Sequence, residues 1–126
     1  MTSDKTPSGT DIADVPMMQV THDHLLNEAV KITQPSDGYR VGSDAVLAAA
    51  SLTARRGRVL DLGAGVGGIS LCIAHRLQSL QITAVEIDPT AAALARYNAA
   101  VNGVHQRIRV VEADITAMPA VMAGSF

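Results

Sequence analysis

Asp61-Leu62-Gly63-Ala64-Gly65-Val66-Gly67-Gly68 follows directly on the apolar run Val59-Leu60, and Glu86 and Asp114 stand further on, each behind an apolar run of its own. These carboxylates at the ends of strand-like runs, with glycines after the first, are the residues whose types and spacing can do chemistry. Glycine adopts positive φ without strain and lets a ligand approach the backbone without meeting a Cβ. The helix expected to begin at Gly68 presents unpaired N–H groups at its start. In an open α/β sheet, a turn of this kind receives a nucleotide-like ligand.

Asp61 decides which ligand that is. A dinucleotide places its pyrophosphate over this turn, where a carboxylate about 4 Å away opposes it by roughly 4 kcal/mol at an effective dielectric of 20. S-adenosylmethionine carries a sulfonium and an α-ammonium instead, both of which an acid attracts. Asp61 therefore favours the methyl donor, meeting its amino acid end. The alternatives are an NAD site, or a glycine turn whose Asp only caps the helix. Glu86 ends the second strand about 20 residues past the first glycine, where a carboxylate accepts hydrogen bonds from both ribose hydroxyls. That supports a ribose without choosing between the two cofactors. Asp114 closes the third strand, beside the second; it can accept from the exocyclic amine of adenine, with Ile87 and Ile115 flanking the ring, or be a plain loop acid. Asp88, ahead of Pro89, reads as a helix cap.

The elements that must position these residues alternate. Val59–Leu62 reads as a strand, Gly68–Leu77 as a helix, Gln81–Glu86 as a strand, Pro89–Val101 as a helix and Ile108–Glu112 as a third strand. Strands alternating with helices imply a parallel sheet with right-handed crossovers, the N-terminal half of a doubly wound, Rossmann-like α/β fold. Upstream, residues 1–19 read as a flexible tail, rich in Thr, Ser, Asp and Pro. Residues 20–57 read as a hairpin and a helix: Thr21–Leu26 and Val30–Gln34 are extended, Pro35-Ser36-Asp37-Gly38 is turn chemistry, and Tyr39-Arg40-Val41 can return as a hairpin partner. The helix is expected over Asp44–Ala54, capped by Ser43 or Asp44, with Arg55-Arg56 at its negative end and Gly57 stopping it. Residues 58–126 are then a partial cofactor-binding domain that stops after its third strand. The first strand's open edge predicts self-association.

Composition narrows the classes further. A chain of 126 residues is one domain at most. A net charge of −2 argues neither for nor against nucleic acid. Cys72 is the only cysteine, so no internal disulfide exists; its apolar helical setting reads as core, and a reducing compartment fits. No apolar run reaches the roughly 18 residues of a membrane span, and the N-terminus lacks a signal-peptide layout, so a soluble cytoplasmic protein is expected. The histidines make no metal pattern, and Arg55-Arg56-Arg58 reads as a solvated cluster rather than an RNA-binding patch.

The order Asp61-x-Gly63-x-Gly65-x-Gly67, then Glu86, then Asp114 resembles that of the class I S-adenosylmethionine-dependent methyltransferases. Upstream, Thr21-x-Asp23-x-Leu25-Leu26, Val30-x-Ile32-x-Gln34-Pro35 and Gly38-Tyr39-Arg40-x-Gly42-x-Asp44-Ala45-Val46-Leu47 are similar to the start of the tRNA1(Val) adenine-37 N6-methyltransferases, the small methyltransferase group. The resemblance runs from Thr21 to Phe126. It implies methyl transfer from S-adenosylmethionine to the N6 amine of an adenine in tRNA, with no metal. It also places Arg40 to Asp44 near the methionine end of the cofactor, with a hairpin role for Arg40 and a capping role for Asp44 left open. The Asn-Pro-Pro-aromatic motif that holds the acceptor in that family is absent, so no catalytic residue is assigned, and little turnover is expected from these residues alone. Methylation of a protein glutamine or of DNA adenine, NAD-dependent redox chemistry, and an inactive binding fragment are the competing readings.

Overall fold

The computed structural model describes residues 19–38 and 40–117. The expected tail, save Gln19, and the stretch after Ala117 lie outside them, as does Tyr39. Within them, β1 (Val20–Leu25) and β2 (Val30–Pro35) pair antiparallel, with Thr21 opposite Gln34 and Leu25 opposite Val30. The hairpin partner of β2 is therefore β1, not the segment at Arg40-Val41. Leu26, Asn27 and Glu28 make the turn at positive φ, and Ala29 N–H donates to the Leu26 carbonyl at 3.0 Å. Val41 N–H donates instead to the Gln34 side chain at 2.8 Å, so a side chain takes the place of a third strand.

Helix α1 covers Ser43–Ala50, four residues shorter than its expected end. Neither Ser43 nor Asp44 caps it; Gly42 is the N-cap, and no side chain bonds there. Ser51 ends it, its N–H and hydroxyl both satisfying last-turn carbonyls, the hydroxyl reaching Ala48 at 2.7 Å. Gly57 does not stop the helix. It lies in β3 (Arg56–Leu62), because Ser79 and Leu80 of β4 (Ser79–Glu86) offer Arg56 and Gly57 ladder partners. The cation at the end of α1 is Arg76 of α2 (Gly68–Arg76), which donates to the Ala49 and Leu52 carbonyls at 3.2 and 3.1 Å.

The remaining elements match their expected places. Helix α3 (Pro89–Val101) starts at Asp88, whose carboxylate accepts from Thr90 N–H at 3.0 Å, and β5 (Ile108–Glu112) follows. The sheet is parallel, in the order β3-β4-β5. Both crossovers run the same way, so right-handedness puts α2 and α3 on one face. Alternation along β4 agrees: Leu80, Ile82 and Ala84 are buried, whereas Ser79 and Gln81 are exposed. Leu94, Val30 and Ile32 complete this core, with β2 lying against α2 and α3.

Two asparagines fasten the hairpin. Asn102 accepts from Lys31 N–H at 2.9 Å and donates to the Lys31 carbonyl at 2.7 Å. One helical turn earlier, Asn98 accepts from Thr33 N–H at 2.8 Å and donates to its carbonyl at 2.9 Å. Side chains at i and i+4 lie on one helix face, and backbone groups at i and i+2 face one strand edge. The pair thus mimics a neighbouring strand and satisfies the edge of β2.

Candidate functional site

Strand β3 delivers Asp61 and then turns through Gly63 (φ +70°), Gly65 (φ +60°) and Gly67 (φ +99°) into α2. Left-handed backbone at these positions is strained for any other residue. A Cβ on Gly63 or Gly65 would meet nothing within 4 Å, so open space lies over the loop. At Gly67 a Cβ would sit 3.6 Å from that of Ala95, and Gly67 is not part of the cleft wall; its place is the start of α2 against α3. Gly68 is crowded. A Cβ there would lie 2.5 Å from Cγ1 of Val41, which covers the beginning of α2.

The loop is held from β4. Ala64 N–H donates to the Val85 carbonyl at 2.9 Å, and Gly65 N–H donates to Glu86 Oε1 at 2.7 Å. The other oxygen of Glu86 accepts from Asp88 N–H at 2.9 Å. A carboxylate has about four lone-pair sites, so Glu86 retains capacity for ligand hydroxyls.

Above the loop opens a cleft of about 440 Å³. Gly63, Ala64 and Gly65 form its floor, Asp37, Val41 and Asp44 one wall, and Glu86 and Asp88 the other. Four carboxylates thus line it, and among the described residues lining it there is no Lys, Arg or His. Asp61 lies behind this lining rather than in it. It is buried, and Ser70 Oγ donates to its carboxylate at 2.7 Å. Burial pushes the Asp61 pKa up, the Ser70 hydrogen bonds pull it back, and the charge of Glu86 adds to the rise. A smaller cavity of about 110 Å³ shares Gly63 and Glu86 with the cleft and is lined by Ile87, Asp114 and Ile115. Ile87 and Ile115 put large exposed apolar side chains on the lining of this slot. Asp114 accepts from Thr116 N–H at 3.0 Å and its hydroxyl at 2.9 Å, bonds that hold its pKa below the usual value.

The structure thus brings Gly63, Ala64, Gly65, Glu86 and Asp44 into one cleft and Ile87, Asp114 and Ile115 into the adjoining slot. It turns Arg40 elsewhere: the guanidinium donates to Asp23 and Thr21 at 2.8 Å each and to the Pro35 carbonyl at 3.0 Å. Thr21, Gln34 and Arg40 together hold the Asp23 pKa down. Asp37 escaped the sequence reading, because a turn acid becomes a cleft acid only once β2 is docked. No group of three or more His, Cys, Asp or Glu among the described residues is arranged to hold a metal.

The methyltransferase small domain model matches residues 37–123. The tRNA1(Val) (adenine(37)-N6)-methyltransferase of Aeromonas hydrophila is 46% identical over 79 residues, covering 60% of this chain and 33% of that protein. The release factor glutamine methyltransferase of Chlorobaculum tepidum is 45% identical over 56 residues, covering 44% of this chain and 19% of its own length. The chain therefore spans about a third or less of these curated relatives. In fold it is similar to the Pyrococcus horikoshii TYW2 crystallised with MeSAdo, with a TM-score of 0.69 at 24% identity over 82% of this chain and 39% of that one. With most of its length matched by that family model, the chain belongs to the methyltransferase small domain family.

Proposed function

We propose that this chain holds S-adenosylmethionine for methyl transfer to the N6 amine of an adenine in tRNA. The observation that carries the reading is the cleft at the C-terminal end of β3, floored by left-handed glycines and lined by carboxylates without a cation. Its residues fit this ligand. Asp37, Asp44 and Asp88 offer negative charge to the ammonium and sulfonium, and buried Asp61 adds to that field from behind. Glu86, already fixed by two backbone amides, is oriented to accept from ribose hydroxyls. Ile87 and Ile115 offer apolar sides to an adenine, and Asp114 a hydrogen-bond acceptor. Bound there, the cofactor supplies an electrophilic methyl group; the chain's part is to hold it and to exclude water.

Two features favour this over a dinucleotide: the charge of the cleft wall and, among the described residues lining it, the absence of a cation to meet a pyrophosphate. The acceptor is supported by the relatives named for tRNA adenine methylation. A cytoplasmic setting goes with that acceptor; among the described residues no helix is long and apolar enough to cross a membrane. The release factor relative favours a second reading, methylation of a protein glutamine. Disrupting the gene and analysing nucleosides of the purified tRNA tests the choice. Loss of N6-methyladenosine supports the proposal. Unchanged tRNA with loss of methylglutamine from release factors would replace it by the second reading.

A further inference from the structure

Asn98 does more than fasten the hairpin. It is 1% exposed, in the last turn of α3, and its side chain makes three hydrogen bonds. Two go to the backbone of Thr33 in β2; the third is donated by Nδ2 to the Val66 carbonyl, at 2.9 Å. Val66 belongs to the glycine loop and lines the cleft. One planar amide therefore bridges the cofactor loop and a hairpin strand that are far apart in sequence. Asn102, one turn along, makes the equivalent pair of bonds to Lys31 but donates its remaining hydrogen to the Asn98 carbonyl, not to the loop.

The hairpin returns to the cleft by a second route. Gln34, next to Thr33, accepts from Val41 N–H, and Val41 packs on Gly68 at the start of α2. Pro35, the last residue of β2, and Asp37, just past it, form part of the cleft wall. A shift of β2 would therefore move the wall and, through Asn98, the loop. Every donor and acceptor of this buried amide but one lone-pair site is engaged, and a fully satisfied buried network specifies one arrangement of its members.

We infer that Asn98 is a positioning residue for cofactor binding, locking the glycine loop to the N-terminal hairpin so that occupancy of the cleft orders both together. This rests on the cofactor reading above. It is distinct from a purely structural role, in which Asn98 and Asn102 would be equivalent stitches.

The test uses the whole chain and S-adenosylhomocysteine as probe. Calorimetry on wild type, Asn98→Ala and Asn102→Ala separates the roles, with thermal melts alongside. Both variants are expected to melt lower, but only Asn98→Ala should weaken binding, by about tenfold, the scale set by one buried hydrogen bond left unmade. Hydrogen exchange on wild type keeps the inference falsifiable if Asn98→Ala does not fold. Adding the probe should slow exchange of the Thr33 amide, which donates to Asn98 and does not line the cleft. Equal affinities for the two variants, or loop amides protected while Thr33 is unchanged, would overturn the inference and leave the cofactor reading standing. No binding by wild type would remove both.

Discussion

Replacing Gly68 by alanine tests whether the segment at Val41 truly roofs the start of α2. The added Cβ would stand 2.5 Å from Val41 Cγ1, 3.1 Å from Cγ2 and 3.3 Å from Cβ. Val41 has little room to yield: it is β-branched, hence stiff at χ1, and its N–H is tied to Gln34 at 2.8 Å. Overpacking of this kind costs about 1–3 kcal/mol. Alanine gains up to about 1 kcal/mol over glycine in a helix, less at its first residue. The net expectation is a loss of about 1–2 kcal/mol, or roughly 4–8 °C in Tm for a domain of this size. Val41→Ala alone should cost about 1 kcal/mol through lost burial of its methyl groups. In the double variant the clash is gone while the helix gain remains, so its cost should fall short of the sum by the clash itself, about 1–3 kcal/mol. Urea melts of the four proteins give this coupling directly. A double variant whose cost equals the sum of the singles would refute the placement of Val41, and with it the cleft wall.

Asp61→Asn addresses the buried acid. Because burial raises the Asp61 pKa, the native state binds more protons than the unfolded chain between the ordinary value of 3.8 and the raised one. The stability it contributes is complete below the ordinary value and lost as pH climbs through the raised one. Subtracting the variant's stability–pH profile from that of wild type should leave a curve that falls with pH in that window; a rising curve would contradict the burial of Asp61. Glu86→Gln keeps an acceptor for Gly65 N–H but turns an amide NH2 toward Asp88 N–H; S-adenosylhomocysteine affinity in calorimetry should drop roughly tenfold or more, with a stability loss of about 1 kcal/mol in melts. Strand β3 has a free edge in the described sheet; sizing by light scattering should show concentration-dependent association, and a monomer at all concentrations would remove that expectation.

The cofactor half of the fold was legible because its signals are local. Pro89–Val101 begins at an Asp-Pro cap, and β4 alternates apolar with polar residues. The end of α1 was not legible: Ser51 and Gly57 are both plausible stops, and the choice fell to a ladder with β4, a nonlocal partner. The hairpin partner at Arg40-Val41 gives way to a different local competitor: β1 pairs with β2, and Val41 N–H goes to the Gln34 side chain. Asn98 and Asn102 look like ordinary helix polar residues, since their partners Thr33 and Lys31 lie 65 and 71 positions away. At the site, residue types gave the charge but not the exposure. Asp61 was expected to face the ligand and lies behind the wall, while Asp37, read only as a turn residue, lines it.

The central claim is that an anionic cleft over left-handed glycines selects a cationic, methionine-bearing nucleoside over a phosphate-bearing one. Isothermal calorimetry of the chain with S-adenosylmethionine and, separately, with NADH measures that preference. The account predicts heat of binding from the first and affinity at least about a hundredfold weaker for the second, as a few kcal/mol of opposed charge requires. NADH bound as tightly as S-adenosylmethionine, or more tightly, would contradict it.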